Sequence, residues 1–185
     1  MIVLASQSPR RRELLAQAGF TFIVRVPAVE EIHQPGESPS DYVQRLAAAK
    51  AAAVQASGEE WVLAADTTVV VGSHILEKPA SPADAARMLR LLSGRDHAVI
   101  TGVCLRHGSQ SWSAIESTTV RFAPLSEAEI LAYAASGEPL DKAGAYAIQG
   151  LASRFIPRID GCYFNVVGLP IALVYRLLRD AGYTA

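Results

Sequence analysis

The sequence lacks the features that define several common protein classes. Its 185 residues include only two cysteines, Cys104 and Cys162, and neither belongs to a C-x-x-C pair. A disulfide scaffold and a cysteine-based zinc site are therefore disfavoured, and the cysteine usage is typical of a reducing compartment. No apolar run approaches the roughly 20 residues of a membrane helix, and the N-terminus shows no signal-peptide pattern. We expect a cytoplasmic protein that has no membrane partner.

An excess of charge of either sign is also missing. The formal net charge is −1, and 19% of the residues are charged. Because no overall basic field is available to hold a nucleic-acid backbone, no nucleic-acid polymer is expected as a partner. The motifs G-x-x-x-x-G-K-[ST], G-x-G-x-x-G, H-E-x-x-H and G-x-S-x-G are absent, and a P-loop mechanism is thereby excluded. A local basic site for a small anion is compatible with this composition.

The order of apolar and amphipathic segments predicts an α/β fold. In the first half, short strands rich in valine and isoleucine alternate with helices, the first of which begins at Ser8 and ends before Gly19. Residues 97–122 then contain two strand-like runs joined by G-S-Q, a pattern typical of a long hairpin. We expect one domain over residues 1–185, with a mixed β-sheet flanked by helices and two lobes around a deep cleft.

Three arginines, Arg10 to Arg12, occupy the first turn of the first predicted helix. Each cation there is unfavourable by about 0.3–1 kcal/mol, because the helix dipole favours acids at this end. The unpaired N–H groups of a helix start suit an anion, and the hydroxyl of Ser6 lies near in sequence. The arginines therefore indicate an anion site, and the alternative is a solvated basic turn. Arg12 is expected to be solvated, since one turn cannot aim three neighbours at one point.

A single carboxylate, Asp66, interrupts the apolar segment V-L-A-A-D-T-T-V-V-V. A buried carboxylate needs a cation, a metal or several hydrogen-bond donors, and it can bind a divalent metal or accept a proton from water. The alternative is a paired aspartate of the core. Lys50, Lys78 and Glu31 are further polar residues that either reach a ligand or face solvent. Basic groups with a carboxylate and no nucleophile motif favour metal-assisted hydrolysis of a phosphate compound.

Six blocks of sequence occur in the order and spacing of the Maf family: L-A-S-Q-S-P-R-R-R-E-L-L, A-A-D-T-T-V-V, L-E-K-P, L-S-G, D-K-A-G-A-Y-A-I-Q-G and N-V-V-G-L-P. Along essentially its whole length the chain resembles Maf-like nucleoside triphosphate pyrophosphatases. The blocks A-D-T, E-K-P and D-K-A-G-A-Y-A-I-Q-G match the branch associated with dTTP and UTP rather than the branch associated with 7-methyl-GTP. One position departs from the pattern, Ala147, where glycine is frequent.

The resemblance implies a Maf/ITPase-like fold, usually a homodimer, that cleaves dTTP or UTP between the α and β phosphates. By similarity, Asp66 accepts the proton of the attacking water, and Asp66 and Glu31 serve a divalent metal, Mg²⁺ or Mn²⁺. The positions linked to the choice of base are Arg10, Thr67 and Gln149. The positions expected to hold the triphosphate are Ser6, Arg11, Lys50 and Lys78.

The resemblance leaves two alternatives open: the same chemistry on another base such as 7-methyl-GTP, and a nucleotide-binding regulator of cell division or septum formation. A glutamine amide offers both a donor and an acceptor, which match the uracil or thymine edge and leave cytosine unpaired. This favours a pyrimidine nucleotide as the small-molecule partner, including modified pyrimidines in a house-cleaning role. A carboxylate base favours the hydrolase over the regulator, because a pure sensor needs no base.

Overall fold

The computed structural model describes residues 1–184. Its strands are β1 (Ile2–Leu4), β2 (Phe22–Val24), β3 (Trp61–Val71), β4 (His74–Leu76), β5 (Asp96–His107), β6 (Gln110–Arg121) and β7 (Arg158–Asp160). Its helices are α1 (Pro9–Gln17), α2 (Pro39–Ala53), α3 (Pro82–Leu92), α4 (Glu127–Ala134), α5 (Tyr163–Val167) and α6 (Ile171–Asp180). Three 3₁₀ helices lie between α4 and β7: Glu138–Asp141, Ala143–Ala145 and Leu151–Phe155.

The strands form a seven-stranded sheet in the order β2-β1-β3-β5-β6-β7, with β4 paired to β3. Strand β1 is parallel to β2 and β3, whereas β4 is antiparallel to β3 and β7 is antiparallel to β6. Strands β5 and β6 are neighbours joined by a turn at Gly108, whose φ is +55°. The predicted α/β fold with a mixed sheet and a long hairpin is therefore confirmed. The cleft between two lobes stays a prediction.

The chain divides into two compact units, each with a hydrophobic core of its own. Unit 1 contains residues 1–67, residues 101–116 and the described residues from Gly168 onward, and unit 2 contains residues 68–100 and 117–167. The core of unit 1 includes Val3, Ala47, Val62 and Cys104, whereas that of unit 2 joins α3, α4, the ends of β3 and β6 and the segment after α4. Within residues 1–184, no helix combines the length and apolarity needed to cross a membrane.

Local capping signals place the helices of unit 1. The hydroxyl of Ser8 accepts a hydrogen bond from the backbone N–H of Arg11 at 3.4 Å. Helix α1 therefore begins at Pro9, directly after this cap, as predicted. As a serine followed by an amphipathic segment, Ser40 is predicted from the sequence to cap the second helix, and this prediction is wrong by two residues. The cap is Ser38, whose hydroxyl accepts from the N–H of Asp41, because the proline that follows it suits the first helical position.

Gly102 lets β5 pass directly against α2. A Cβ atom at this position would lie 2.5 Å from the carbonyl oxygen of Val43 and 2.8 Å from the backbone nitrogen of Gln44. Because both contacts are backbone atoms of one helix, we expect Gly102→Ala to lower the free energy of unfolding by about 2–3 kcal/mol in urea denaturation. Gly58→Ala is the matched control, since no atom lies within 4 Å of its Cβ position. Equal stability of the two variants would contradict the close contact.

Candidate active site

Asp66 lies in β3, buried beside Lys50 of α2. The Lys50 ammonium donates to Oδ1 of Asp66 at 2.6 Å and also contacts Oε1 of Glu31 at 2.5 Å. The side chains of Lys50 and Asp66 are each 9% exposed, and that of Glu31 is 30% exposed. The buried carboxylate therefore has the cation that its burial requires. The sequence predicted the need for a partner, and the structure assigns Lys50 to it.

The two carboxylates that share Lys50 fit a divalent metal of the Mg²⁺ type. Mg²⁺ is typically held by one or two carboxylates and completes its octahedron with waters and substrate phosphates. Glu31 and Asp66 supply two such groups, and both lie within hydrogen-bond distance of one ammonium nitrogen. Among the described residues, no three or more His, Cys, Asp and Glu side chains are gathered around a common point for a metal ion. Glu31 and Asp66 are therefore the candidates to hold a metal ion, and metal binding stays a prediction.

Arg11 is held within unit 1 by three hydrogen bonds. Its Nε donates to the carbonyl of Gly168 at 2.8 Å, its Nη1 to the carbonyl of Ala65 at 2.7 Å, and its Nη2 to the hydroxyl of Thr67 at 3.1 Å. Burial lowers the pKa of this guanidinium, and the charge of Asp66 opposes that effect. An arginine nevertheless stays charged. Arg11 therefore holds β3 on both sides of Asp66, and its contact with a triphosphate stays a prediction.

Thr67 has a second partner that sequence reasoning missed. Its Oγ1 lies 2.9 Å from Oγ1 of Thr101, a fully buried residue of β5. Threonine is an ordinary strand residue by propensity, so neither position carries a visible signal in the sequence. The two meet because β3 and β5 are neighbours in the sheet. With Arg11 and Thr101 on either side, the Thr67 hydroxyl is held in place.

The remaining predicted residues fall in both units. Ser6 is 4% exposed, and its Oγ accepts from the N–H of Ser8 at 3.1 Å at the start of α1. Arg10 is half-buried, whereas Arg12 is exposed, as predicted. Unit 1 thus contains most of the predicted set: Ser6, Arg10, Arg11, Glu31, Lys50, Asp66 and Thr67. Lys78 and Gln149 are both exposed and belong to unit 2.

Comparison with known proteins gives the chain a family context. A family model described as Maf-like protein matches residues 1–181. A protein of Koribacter versatilis (strain Ellin345) named dTTP/UTP pyrophosphatase is 54% identical over 182 residues, which cover 98% of this chain and 94% of that protein. A Vibrio cholerae protein of the same name is 52% identical over 180 residues, 96% of each chain.

One solved structure shares the fold at low sequence identity. The Staphylococcus aureus Ham1 protein superposes with a TM-score of 0.56 over 97% of this chain and 98% of that chain, and the two sequences are 16% identical. At this identity the similarity shows a common fold and carries nothing about the chemistry.

Proposed function

Because this chain belongs to the family of Maf-like proteins, we propose that it is a dTTP/UTP pyrophosphatase. The reaction would release pyrophosphate from a pyrimidine nucleoside triphosphate and leave the monophosphate. One observation carries the proposal: the buried carboxylate of Asp66 in β3, held by Lys50 beside Glu31. A carboxylate kept in a strand interior by a single ammonium suits a proton acceptor and metal ligand.

In the proposed mechanism, Asp66 takes a proton from the water molecule that attacks the α phosphorus. A bond forms between the water oxygen and the α phosphorus, the bond to the bridging oxygen breaks, and pyrophosphate leaves with that electron pair. Lys50 holds the carboxylate in place with its charge and hydrogen bond. When bound, a divalent metal held by Glu31 and Asp66 would offset phosphate charge and polarise the reacting phosphate.

The start of α1 supplies the groups proposed to bind the triphosphate. Ser6, Arg10 and Arg11 lie at the positive end of this helix dipole. Within residues 1–184, three N–H groups of the Arg11 guanidinium donate to protein oxygens, and two of its five are proposed to bind the ligand. The triphosphate would supply the negative charge that the ligand-free helix start lacks. Lys78 is proposed to join this binding set.

Choice of the base is proposed to rest on Arg10, Thr67 and Gln149. The Thr67 hydroxyl is fixed by Arg11 and Thr101, so it presents a constant hydrogen-bonding direction.

The resemblance to the family also supports a cytoplasmic homodimer. Light scattering of the purified protein measures its mass in solution and tests the dimer.

A substrate panel tests the proposed function. Pyrophosphate release is measured from dTTP, UTP, CTP, ATP, GTP and 7-methyl-GTP, each with Mn²⁺ or with EDTA. We expect kcat/KM for dTTP and UTP to exceed the others by about 10²-fold or more and the release to stop in EDTA. Preference for 7-methyl-GTP would favour the other branch. Tight nucleotide binding without release from any substrate would favour the regulator of cell division.

A further inference from the structure

Gln149 is the first exposed residue after a buried segment of unit 2. The four residues before it, Ala145 to Ile148, are between 0% and 8% exposed. The N–H of Gly150 donates to the carbonyl of Ala147 at 3.1 Å and closes a turn around Gln149. Residues 146–150 belong to no helix or strand. The position of this turn therefore depends on the side chains that bind its other backbone groups.

Tyr133 and Glu138 bind the backbone on both sides of this turn. The Tyr133 hydroxyl accepts from the N–H of Ala147 at 3.2 Å and donates to Oε1 of Glu138 at 2.7 Å. Oε2 of Glu138 accepts from the N–H of Leu151 at 3.0 Å. One connected set of hydrogen bonds, here named the Tyr133–Glu138 clamp, thus runs from Ala147 to Leu151 and spans Gln149.

The close approach of Glu138 explains the glycine at position 150. A Cβ atom at Gly150 would lie 2.3 Å from Oε2 and 2.6 Å from Oε1 of Glu138. The carboxylate is already tied by Tyr133 and by the N–H of Leu151, so it could not withdraw without losing a hydrogen bond. The backbone next to Gln149 is therefore packed directly against the clamp.

The Tyr133 hydroxyl stays a hydrogen-bond donor over the working pH range. Burial, with the hydrogen bond to Glu138, raises the pKa of Tyr133. Its hydroxyl therefore stays protonated and keeps donating to the carboxylate.

Before the turn, the Tyr146 hydroxyl lies 2.8 Å from Nε2 of the buried His97. Ala145 has a φ of +60°, a conformation that persists in a non-glycine residue only where the surroundings impose it.

We propose that Tyr133 and Glu138 are positioning residues for Gln149 and thereby determine specificity for uracil- and thymine-bearing triphosphates. The inference rests on the proposed function, because it takes Gln149 as a residue that reads the base. A glutamine amide distinguishes uracil from cytosine only if its donor and acceptor atoms are held in fixed places. Loss of the clamp would let the turn move and would weaken base discrimination more than the chemical step.

The test compares Tyr133→Phe with Tyr175→Phe, which removes a hydroxyl from a 58% exposed tyrosine of α6. Hydrogen exchange of residues 147–151 and kcat/KM for UTP and CTP are measured for both. For Tyr133→Phe we expect exchange to be about tenfold faster and the UTP:CTP ratio of kcat/KM to fall about tenfold, mainly through KM for UTP. Tyr175→Phe should change neither quantity.

Variants of Glu138 test the clamp from its other side. Glu138→Ala should reproduce the effects of Tyr133→Phe, so a folding defect in either variant alone leaves the inference testable. Glu138→Gln should restore most of the selectivity, because an amide oxygen still accepts from the N–H of Leu151. A purely structural role would lower the melting temperature of Glu138→Ala and leave the UTP:CTP ratio at its wild-type value.

Gln149→Ala separates the two possible failures. Unchanged exchange in Tyr133→Phe and Glu138→Ala would overturn the clamp itself. Faster exchange with an unchanged UTP:CTP ratio, where Gln149→Ala lowers that ratio, would overturn the positioning role and leave the proposed function intact. If Gln149→Ala leaves the ratio unchanged, or the wild type releases no pyrophosphate, the proposed reading of the base fails and the specificity inference fails with it.

Discussion

Asp66→Asn is expected to lower kcat for dTTP and UTP by about 10³-fold or more. The amide keeps the shape of the carboxylate and still accepts a hydrogen bond from Lys50, so the fold around β3 should persist. It can neither take a proton from water nor supply negative charge to a metal ion. The measurement is steady-state pyrophosphate release with Mn²⁺, together with a melting curve to show that the variant is folded.

A measurement of nucleotide binding distinguishes the loss of the proton acceptor from the loss of the nucleotide-binding site. Asp66→Asn should still bind UTP in calorimetry, because Ser6 and the arginines of α1 are unchanged. Asp180→Asn is the control, since it makes the same substitution at an exposed aspartate at the end of α6. Retention of more than about a tenth of kcat by Asp66→Asn would mean that another group accepts the proton. Tight binding together with an unchanged cellular phenotype would favour the regulator.

Lys50→Met is expected to destabilise the protein by about 3–5 kcal/mol, because it leaves the buried Asp66 carboxylate without its ammonium partner. Methionine has nearly the same length and fits the alanine-rich α2, so lost packing contributes little. The free energy of unfolding is measured by urea denaturation. The matched control is Arg176→Met on the exposed face of α6, where we expect a change within about 0.5 kcal/mol.

The double variant Lys50→Met/Asp66→Asn isolates the interaction between the two side chains. Since it removes both charges, we expect it to be more stable than Lys50→Met by about 2 kcal/mol while it stays inactive. A loss of stability in the double variant equal to the sum of the losses in the two single variants would contradict a direct interaction at 2.6 Å. Activity in the double variant would contradict the proposed role of Asp66.

Local chemistry made much of the fold predictable. The α1 cap at Ser8 occurs as predicted and depends on residues within one helical turn. The same holds for the capping box of α4, which the spacing of Ser126 and Glu129 in the sequence predicts and the structure contains. The error at α2 has the same local origin, because Ser38 and Ser40 both precede helical residues and the intervening proline decides between them. The glycine- and alanine-rich segment after α4 fits neither the hydrophobic period of a helix nor that of a strand, and it folds into short 3₁₀ helices.

The residue types of the candidate site could be predicted from the sequence, but the contacts between their side chains could not. The apolar surroundings of Asp66 by themselves required a partner, since a lone buried carboxylate is too costly. That the partner is Lys50, 16 positions earlier, follows only from the packing of α2 on β3. The resemblance to the family predicts Arg11 as a phosphate ligand. The structure shows that its side chain donates to a backbone oxygen and a side-chain oxygen on either side of Asp66.

The sequence alone determined the order of helices and strands up to α4, the family and the chemical character of the site, because these depend on neighbouring residues and on short blocks. The tertiary structure decided which side chains hold that site. Thr101 of β5 contacts Thr67 of the neighbouring strand β3, and Tyr133 of α4 contacts Ala147, which follows two 3₁₀ helices. Such contacts join residues 14 or 34 positions apart, and no periodicity or propensity encodes them. They exist only once the sheet and its helices have packed.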